Sequence, residues 1–209
     1  MPTSANLLIF LGATLALNLT PGPDMLYVIA RSVAEGRRAG IASAFGIAGG
    51  TMVHTLAVVL GLSSLLLAVP FTYDAVRFGG AAYLVYIGLR ALIRPSAPGD
   101  GPSVEPASPW VIFRQGVVTN VLNPKVALFF LAFLPQFADP ARGNVPGQLL
   151  LLGVLFNVSA TLVNLAVAFV ASRAGRWGRA RMGNSALLQR LTGVVFVGLG
   201  VRLALQKRP

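Results

Sequence analysis

Two ionisable residues, Asp24 and Lys125, stand inside long apolar stretches, each next to a helix-breaking motif. The first motif is Asn18-Leu19-Thr20-Pro21-Gly22-Pro23-Asp24, the second Asn120-Val121-Leu122-Asn123-Pro124-Lys125. Proline removes a backbone donor and clashes with the preceding turn, so both motifs should interrupt a helix. Thr20 is placed to cap the second half of the first helix, with Pro21 at its first position, and Asn123 to cap a half-helix that begins at Pro124. Each break would expose free N–H groups and the positive end of a helix dipole, which together favour an anion such as a carboxylate. A charge near the middle of a bilayer costs on the order of a few kcal/mol or more unless it is paired or hydrated, which marks both residues as functional candidates. Asp24 in the first turn of a half-helix suits the dipole. Lys125 opposes it unless an acid or a bound carboxylate lies alongside.

These residues are expected to form a site for a small zwitterion. Lys125 and the half-helix N-termini would receive a carboxylate, Asp24 would face an ammonium group, and protonation of Asp24 would couple transport to the proton gradient. Thr20, Pro21, Gly22, Pro23, Asn123 and Pro124 would shape the breaks. The same two charges are also compatible with a buried Asp24–Lys125 pair that only locks the two halves of the chain together. His54 follows the Gly-rich run Gly46-Ile47-Ala48-Gly49-Gly50-Thr51; it is either a proton relay or substrate contact, or a satisfied buried histidine. Gly46 and Gly50 have the GxxxG spacing that lets helices approach closely, inside one chain or between protomers. Asn157 and Asn164, seven residues apart on one face, either line a pathway or bond to neighbouring helices.

Composition defines the elements that must position these groups. The chain has 209 residues, 55% of them hydrophobic and only 11% charged, with no cysteine and a net charge of +11. Soluble domains carry roughly a quarter of their residues as charges, so a soluble enzyme is excluded. The positive balance arises from scarce acids and not from a dense basic block, so nucleic acid is not the expected partner. Apolar stretches cover residues 5–30, 40–69, 75–93, 116–137, 147–171 and 187–205. Each reaches or approaches the ~20 residues that cross a ~30 Å hydrocarbon core as a helix. Only helices and closed barrels satisfy their backbone in lipid, and barrel alternation is absent. The first stretch lacks the basic start and cleavage site of a signal peptide.

The fold class expected is therefore all-α, a polytopic membrane protein of about six transmembrane helices. Residues 94–109, with five prolines and two glycines, have linker composition. They divide the chain into a first repeat, 1–93, and a second, 110–209. Leu19-Thr20-Pro21 matches Leu122-Asn123-Pro124, Arg77-x-x-Gly80 matches Arg190-x-x-Gly193, and Gly88-x-Arg90 matches Gly200-x-Arg202, all in the same order. Three spans per repeat force the second copy upside down, an architecture recurrent in secondary transporters. Arg31, Arg37, Arg38, Arg90, Arg94, Arg114, Arg173, Arg176, Arg179, Arg181 and Arg190 flank the odd-numbered connections. The positive-inside rule places those connections in the cytoplasm and both termini outside, unless the first stretch dips in and returns. Trp110 and Trp177 lie beside them as interfacial anchors.

No phosphate loop, H-E-x-x-H motif, Cys/His cluster or Gly-x-Ser-x-Gly element occurs, so no ATP-driven step, metal, cofactor or catalytic residue is expected. Thr20-Pro21-Gly22-Pro23-Asp24-Met25, Asn123-Pro124-Lys125-Val126-Ala127-Leu128-Phe129-Phe130 and Leu131-Ala132-Phe133-Leu134-Pro135-Gln136-Phe137 resemble the lysine exporter (LysE/RhtB) family of bacterial amino-acid efflux proteins, most closely its homoserine and threonine efflux-like branch. The resemblance covers essentially the whole chain. It implies a secondary exporter of small amino acids or derivatives in the bacterial inner membrane, with protons and membrane lipid as partners and no enzymatic activity. It also carries the family's two motifs onto Pro21, Gly22, Pro23 and Asn123, Pro124, Lys125. A metal-cation exporter and a non-transporting membrane subunit are the alternatives, and a homo-oligomer stays open.

Overall fold

The structure, a computed structural model, describes residues 4–61, 72–93 and 107–182, together with 190, 193–194, 197–198, 201 and 204–205 of the C-terminal stretch. The linker expected at 94–109 lies outside the described residues up to position 106, and so does most of the sixth apolar stretch. Every element among the described residues is helical.

Helix α1, Ser4–Leu19, stops where Pro21-Gly22-Pro23 removes two backbone donors, and α2, Pro23–Glu35, begins with Pro23 in its first turn. Gly36 joins α2 to α3, Arg37–Val59, at φ +90°, a conformation that glycine adopts without steric cost. Helix α4 covers Thr72–Ile93. Helix α5, Pro109–Val121, starts at Ser108, whose hydroxyl accepts from the Val111 N–H at 3.3 Å. Helix α6, Pro124–Leu128, continues through a widened π turn, Phe129–Phe133, and a tight 3₁₀ turn, Leu134–Phe137. Pro135 explains that change of pitch, because it cannot donate to Leu131 and its ring would strike that carbonyl. Helix α7, Val145–Met182, is 38 residues long. At 1.5 Å per residue it reaches about 57 Å, well past a ~30 Å hydrocarbon core.

Among the described residues two helices are long and apolar enough to cross a membrane, α3 and the Val145–Trp177 part of α7. The pair Pro109–Val121 and Pro124–Phe137, bent by 51° at its break, forms a third if taken as one span. The first apolar stretch is two helices, and the fifth runs on through Arg173 and Arg176 to Met182. Leu8, Ile9, Leu162 and Val170 point outward, as lipid-facing side chains do.

Small residues set the packing. A Cβ on Gly46 would lie 2.3 Å from the Phe113 carbonyl oxygen, and one on Gly50 2.7 Å from Asn120 Cβ, so the GxxxG pair is an internal contact of α3 with α5. Gly153 of α7 sits against Thr55 of α3, and Gly175 against Val33 of α2. Gly88 of α4 and Gly193 of the C-terminal stretch meet backbone to backbone. Two apolar cores result. One gathers Tyr27, Val28, Ala39, Ile47, Ile112 and Ala168; the other stacks Phe10, Phe129, Phe130, Phe137 and Phe156 on Leu134, Leu149 and Leu152. A small cavity of mixed lining lies where they meet, with Ile47 of the first core and Phe156 of the second both on its wall.

Gly46→Leu has nowhere to put its side chain. Overpacking of this kind costs about 1–3 kcal/mol or more, so the variant should lose most of the monodisperse protein recovered in detergent. Gly12→Leu, at a position with no atom within 4 Å, should match the parent in the same size-exclusion measurement.

Candidate functional site

Both helix breaks reach the cavity, which is lined by Leu17 and Asn18 of α1, Asp24 and Met25 of α2, Ile47 and Thr51 of α3, Asn120 of α5, Lys125 and Val126 of α6, and Phe156, Ala160 and Asn164 of α7. Its volume is about 20 Å³, room for roughly one water molecule.

The second break follows the sequence expectation. Asn123 is the N-cap of α6; its Oδ1 accepts from the Lys125 N–H at 3.0 Å, with Pro124 in the first turn. The first break does not. Gly22, not Thr20, is the N-cap of α2, with Pro23 and not Pro21 in the first turn. The Thr20 hydroxyl turns back to donate to the Ala16 carbonyl at 2.7 Å, closing the end of α1. The reason is local: a threonine hydroxyl readily back-bonds to the carbonyl four residues earlier, and Pro23 is the residue preset for a new helix.

Lys125 does not lie along the dipole of its own helix. Its ammonium crosses to α1 and donates to the carbonyls of Thr20 at 2.9 Å and Leu17 at 3.2 Å. That is the negative end of the α1 dipole, where a cation is favoured. The path runs over Gly22, where a Cβ would come within 3.0 Å of Nζ, so the glycine of the first motif makes room for the lysine of the second.

Asp24 is buried in the first turn of α2. Its Oδ2 accepts from Asn120 Nδ2 at 2.8 Å; Oδ1 and the Nδ2 of the fully buried Asn123 make no hydrogen bond of standard geometry, but the Asn123 amide lies beside the carboxylate. Asp24 and Lys125 share the cavity without pairing: the ion pairs among the described residues are Arg31–Glu35 and Arg142–Asp139. His54 stands outside the cavity lining. Its Nε2 meets the Asn120 carbonyl at 3.2 Å, at the end of α5, and its ring lies 5.8 Å from that of Phe130. Pro21 is exposed beside the break. Of the two asparagines of α7, Asn164 lines the cavity and Asn157 donates to the Ala48 carbonyl of α3 at 3.2 Å.

Asn120 is the hub that sequence inspection passes over as part of a motif. It holds Asp24 through its amide, accepts from Thr51 Oγ1 at 3.4 Å and offers its carbonyl to His54. Its spacing of three from Asn123 within an apolar run is the signal that both face one side. A second polar cluster was equally legible as the stripe Tyr27, Arg31, Glu35, one turn apart on α2. Tyr27 Oη donates to the Ile112 carbonyl at 2.8 Å, and Arg31 bonds both Glu35 and Gln115 of α5. Arg31 Nε and Glu35 Oε2 remain buried without partners. Helices α2 and α5 are thus tied by side chains at three levels, Asp24–Asn120, Tyr27–Ile112 and Arg31–Gln115.

Comparison with known proteins identifies the family of the chain. The profile of LysE type translocators matches residues 15–207. An uncharacterized membrane protein of Pseudomonas aeruginosa is 34% identical over 89% of this chain and 88% of its own. A leucine efflux protein of Klebsiella pneumoniae is 30% identical over 95% of this chain and 94% of its own, and one of Salmonella typhimurium 28% identical over 93% and 92%. No solved structure matches. The two broken helices, with one acid and one base converging on a buried cavity, therefore sit in a chain that belongs to the LysE type translocator family.

Proposed function

We propose that the chain is a secondary exporter of small neutral amino acids in the bacterial inner membrane, built as two inverted three-helix repeats. One observation carries the proposal: the acid Asp24 and the base Lys125 line the same cavity without forming an ion pair with each other. The Asp24 carboxylate takes the substrate ammonium. Lys125, with two of its three protons on α1 carbonyls, turns its third to the substrate carboxylate. The leucine efflux proteins among the relatives support amino acids as cargo. Among the described residues Asp24 is the one acid on the cavity wall, and a second ammonium, as in lysine, finds no counter-charge among them. A metal cation would meet one carboxylate and a lysine, a poor donor set, and no cluster of three metal-ligating side chains occurs among the described residues.

Transport requires movement, because an amino acid needs far more than the space of one water. Ligand pockets are commonly ~300 Å³ or larger. The seam between α2 and α5 is the element to open, since it is joined by long polar side chains. The basic flanks assign the Arg31 end of that seam to the cytoplasm, the side from which an exporter loads. When the Asp24 carboxylate binds a proton it no longer holds an ammonium, which gives coupling to the proton gradient.

In proteoliposomes, Asp24→Asn and Lys125→Ala should each reduce gradient-driven amino-acid efflux at least about a hundredfold at unchanged protein content. Full activity of both variants would refute the proposal. The chain has no cysteine, so Arg31→Cys with Gln115→Cys can be bridged by a short bifunctional thiol reagent without background. Bridging should arrest efflux, and reductant should restore it; efflux unaffected by complete bridging would remove the seam from the transport path.

A further inference from the structure

The polar groups on the cavity wall are nearly all engaged within the protein. Asn18 donates to Ser159, Thr51 to Ile47 and Asn120, and Asn120 to Asp24. Beyond the Asp24 carboxylate and the remaining Lys125 proton, one polar side chain on the wall is left with no hydrogen bond. Asn164 is only 6% exposed and lines the cavity, and its amide has no hydrogen-bond partner among the described residues. It lies one turn along α7 from Ala160, about 6 Å away, while Ile47 and Phe156 form apolar wall.

Resting on the function proposed above, we infer that Asn164 determines specificity. It hydrogen-bonds a hydroxyl or amide on the side chain of a neutral amino acid, so that the preferred cargo is polar and not aliphatic. Three functions then meet three substrate groups: Asp24 the ammonium, Lys125 the carboxylate, Asn164 the side chain. An amide carries two donors and an acceptor, and burying it unpaired is unfavourable. The cavity has room for a water on Asn164. A substrate hydroxyl that displaces this water keeps its hydrogen bond, and a methyl group does not. A site built to bond a side-chain polar group discriminates strongly against the analogue that lacks it.

Near-isosteric pairs isolate this contact: threonine against valine, and asparagine against leucine. Counterflow of the four radiolabelled amino acids into proteoliposomes of the full chain should favour the polar member of at least one pair by about tenfold or more. Asn164→Leu should bring that ratio to within about threefold, chiefly by raising the aliphatic member. Asn164→Ala should do the same and serves if the leucine variant is not recovered. A wild-type ratio at or below one in both pairs overturns the assignment and leaves the zwitterion site standing, because all four are zwitterions. A polar preference that survives both substitutions also overturns it, since another group then reads the side chain. Failure to carry any of the four, or any other neutral amino acid, removes the function and this assignment together.

Discussion

The ammonium of Lys125 on the carbonyl end of α1 is the contact on which the arrangement depends. A helix broken inside a membrane leaves carbonyls and N–H groups that lipid cannot satisfy, each at a cost of several kcal/mol. Here the ends are closed from the other half of the chain. Lys125 of α6 bonds Thr20 and Leu17 at the end of α1, and His54 of α3 meets the Asn120 carbonyl at the end of α5. Asp24 of α2 takes the Asn120 amide. The two breaks therefore stabilise each other, and neither motif can be understood alone. Gly22 shows the dependence most directly, since its missing side chain is the space through which Lys125 passes.

The remaining packing divides into tight and loose seams. Helix α3 meets α5 through Gly46 and Gly116, where backbone touches backbone, and through Gly50, which abuts the Asn120 side chain. Helix α2 meets α5 through Tyr27, Arg31 and Gln115, long groups that can exchange one hydrogen-bond partner for another. Interhelical hydrogen bonds in membranes are individually weak, about 0.6 kcal/mol on average. Opening the polar seam thus costs little per bond, whereas separating the glycine seam would forfeit continuous van der Waals contact. The buried, unpartnered Arg31 Nε and Glu35 Oε2 point the same way, because a network with spare capacity has alternatives to settle into.

Much of this was legible in the residues. Helical class, the two breaks and the cap at Asn123 follow from proline chemistry and hydropathy alone. The exact cap of the first break was not, because Thr20, Gly22 and Pro23 offer competing starts and the Thr20 hydroxyl back-bonds to Ala16 instead of capping α2. Lys125 itself looked misplaced against its own dipole. Sequence gives the helix a residue belongs to, but not the helix its four-carbon stem can reach. Asn120 was hidden for a related reason, as a neutral amide in an apolar run; Asn157 and Asn164 were read with two alternatives, and the structure divides them, Asn164 on the cavity and Asn157 bonded to α3. The linker and most of the sixth apolar stretch fall outside the described residues, so the proposed inverted repeat is carried by its motif matches alone.

Charge balance connects the site to the membrane potential. Among the described residues one acid and one base line the cavity, so their two charges balance; the Asn120 amide bonds the acid and the end of α1 bonds the base. A zwitterion adds one positive and one negative charge and leaves the total unchanged. Loaded and empty forms of the proposed carrier then cross the field on equal terms, and the membrane potential neither drives nor opposes the cargo itself. A cationic substrate would add a full charge, worth about 2.3 kcal/mol for each 100 mV, and in an exporter it would move against the negative interior. A proton bound by Asp24 on the return step would move with the field. The same two side chains that select a neutral amino acid thereby assign the electrical work to the proton, and this division holds only while Asp24 and Lys125 remain unpaired with each other.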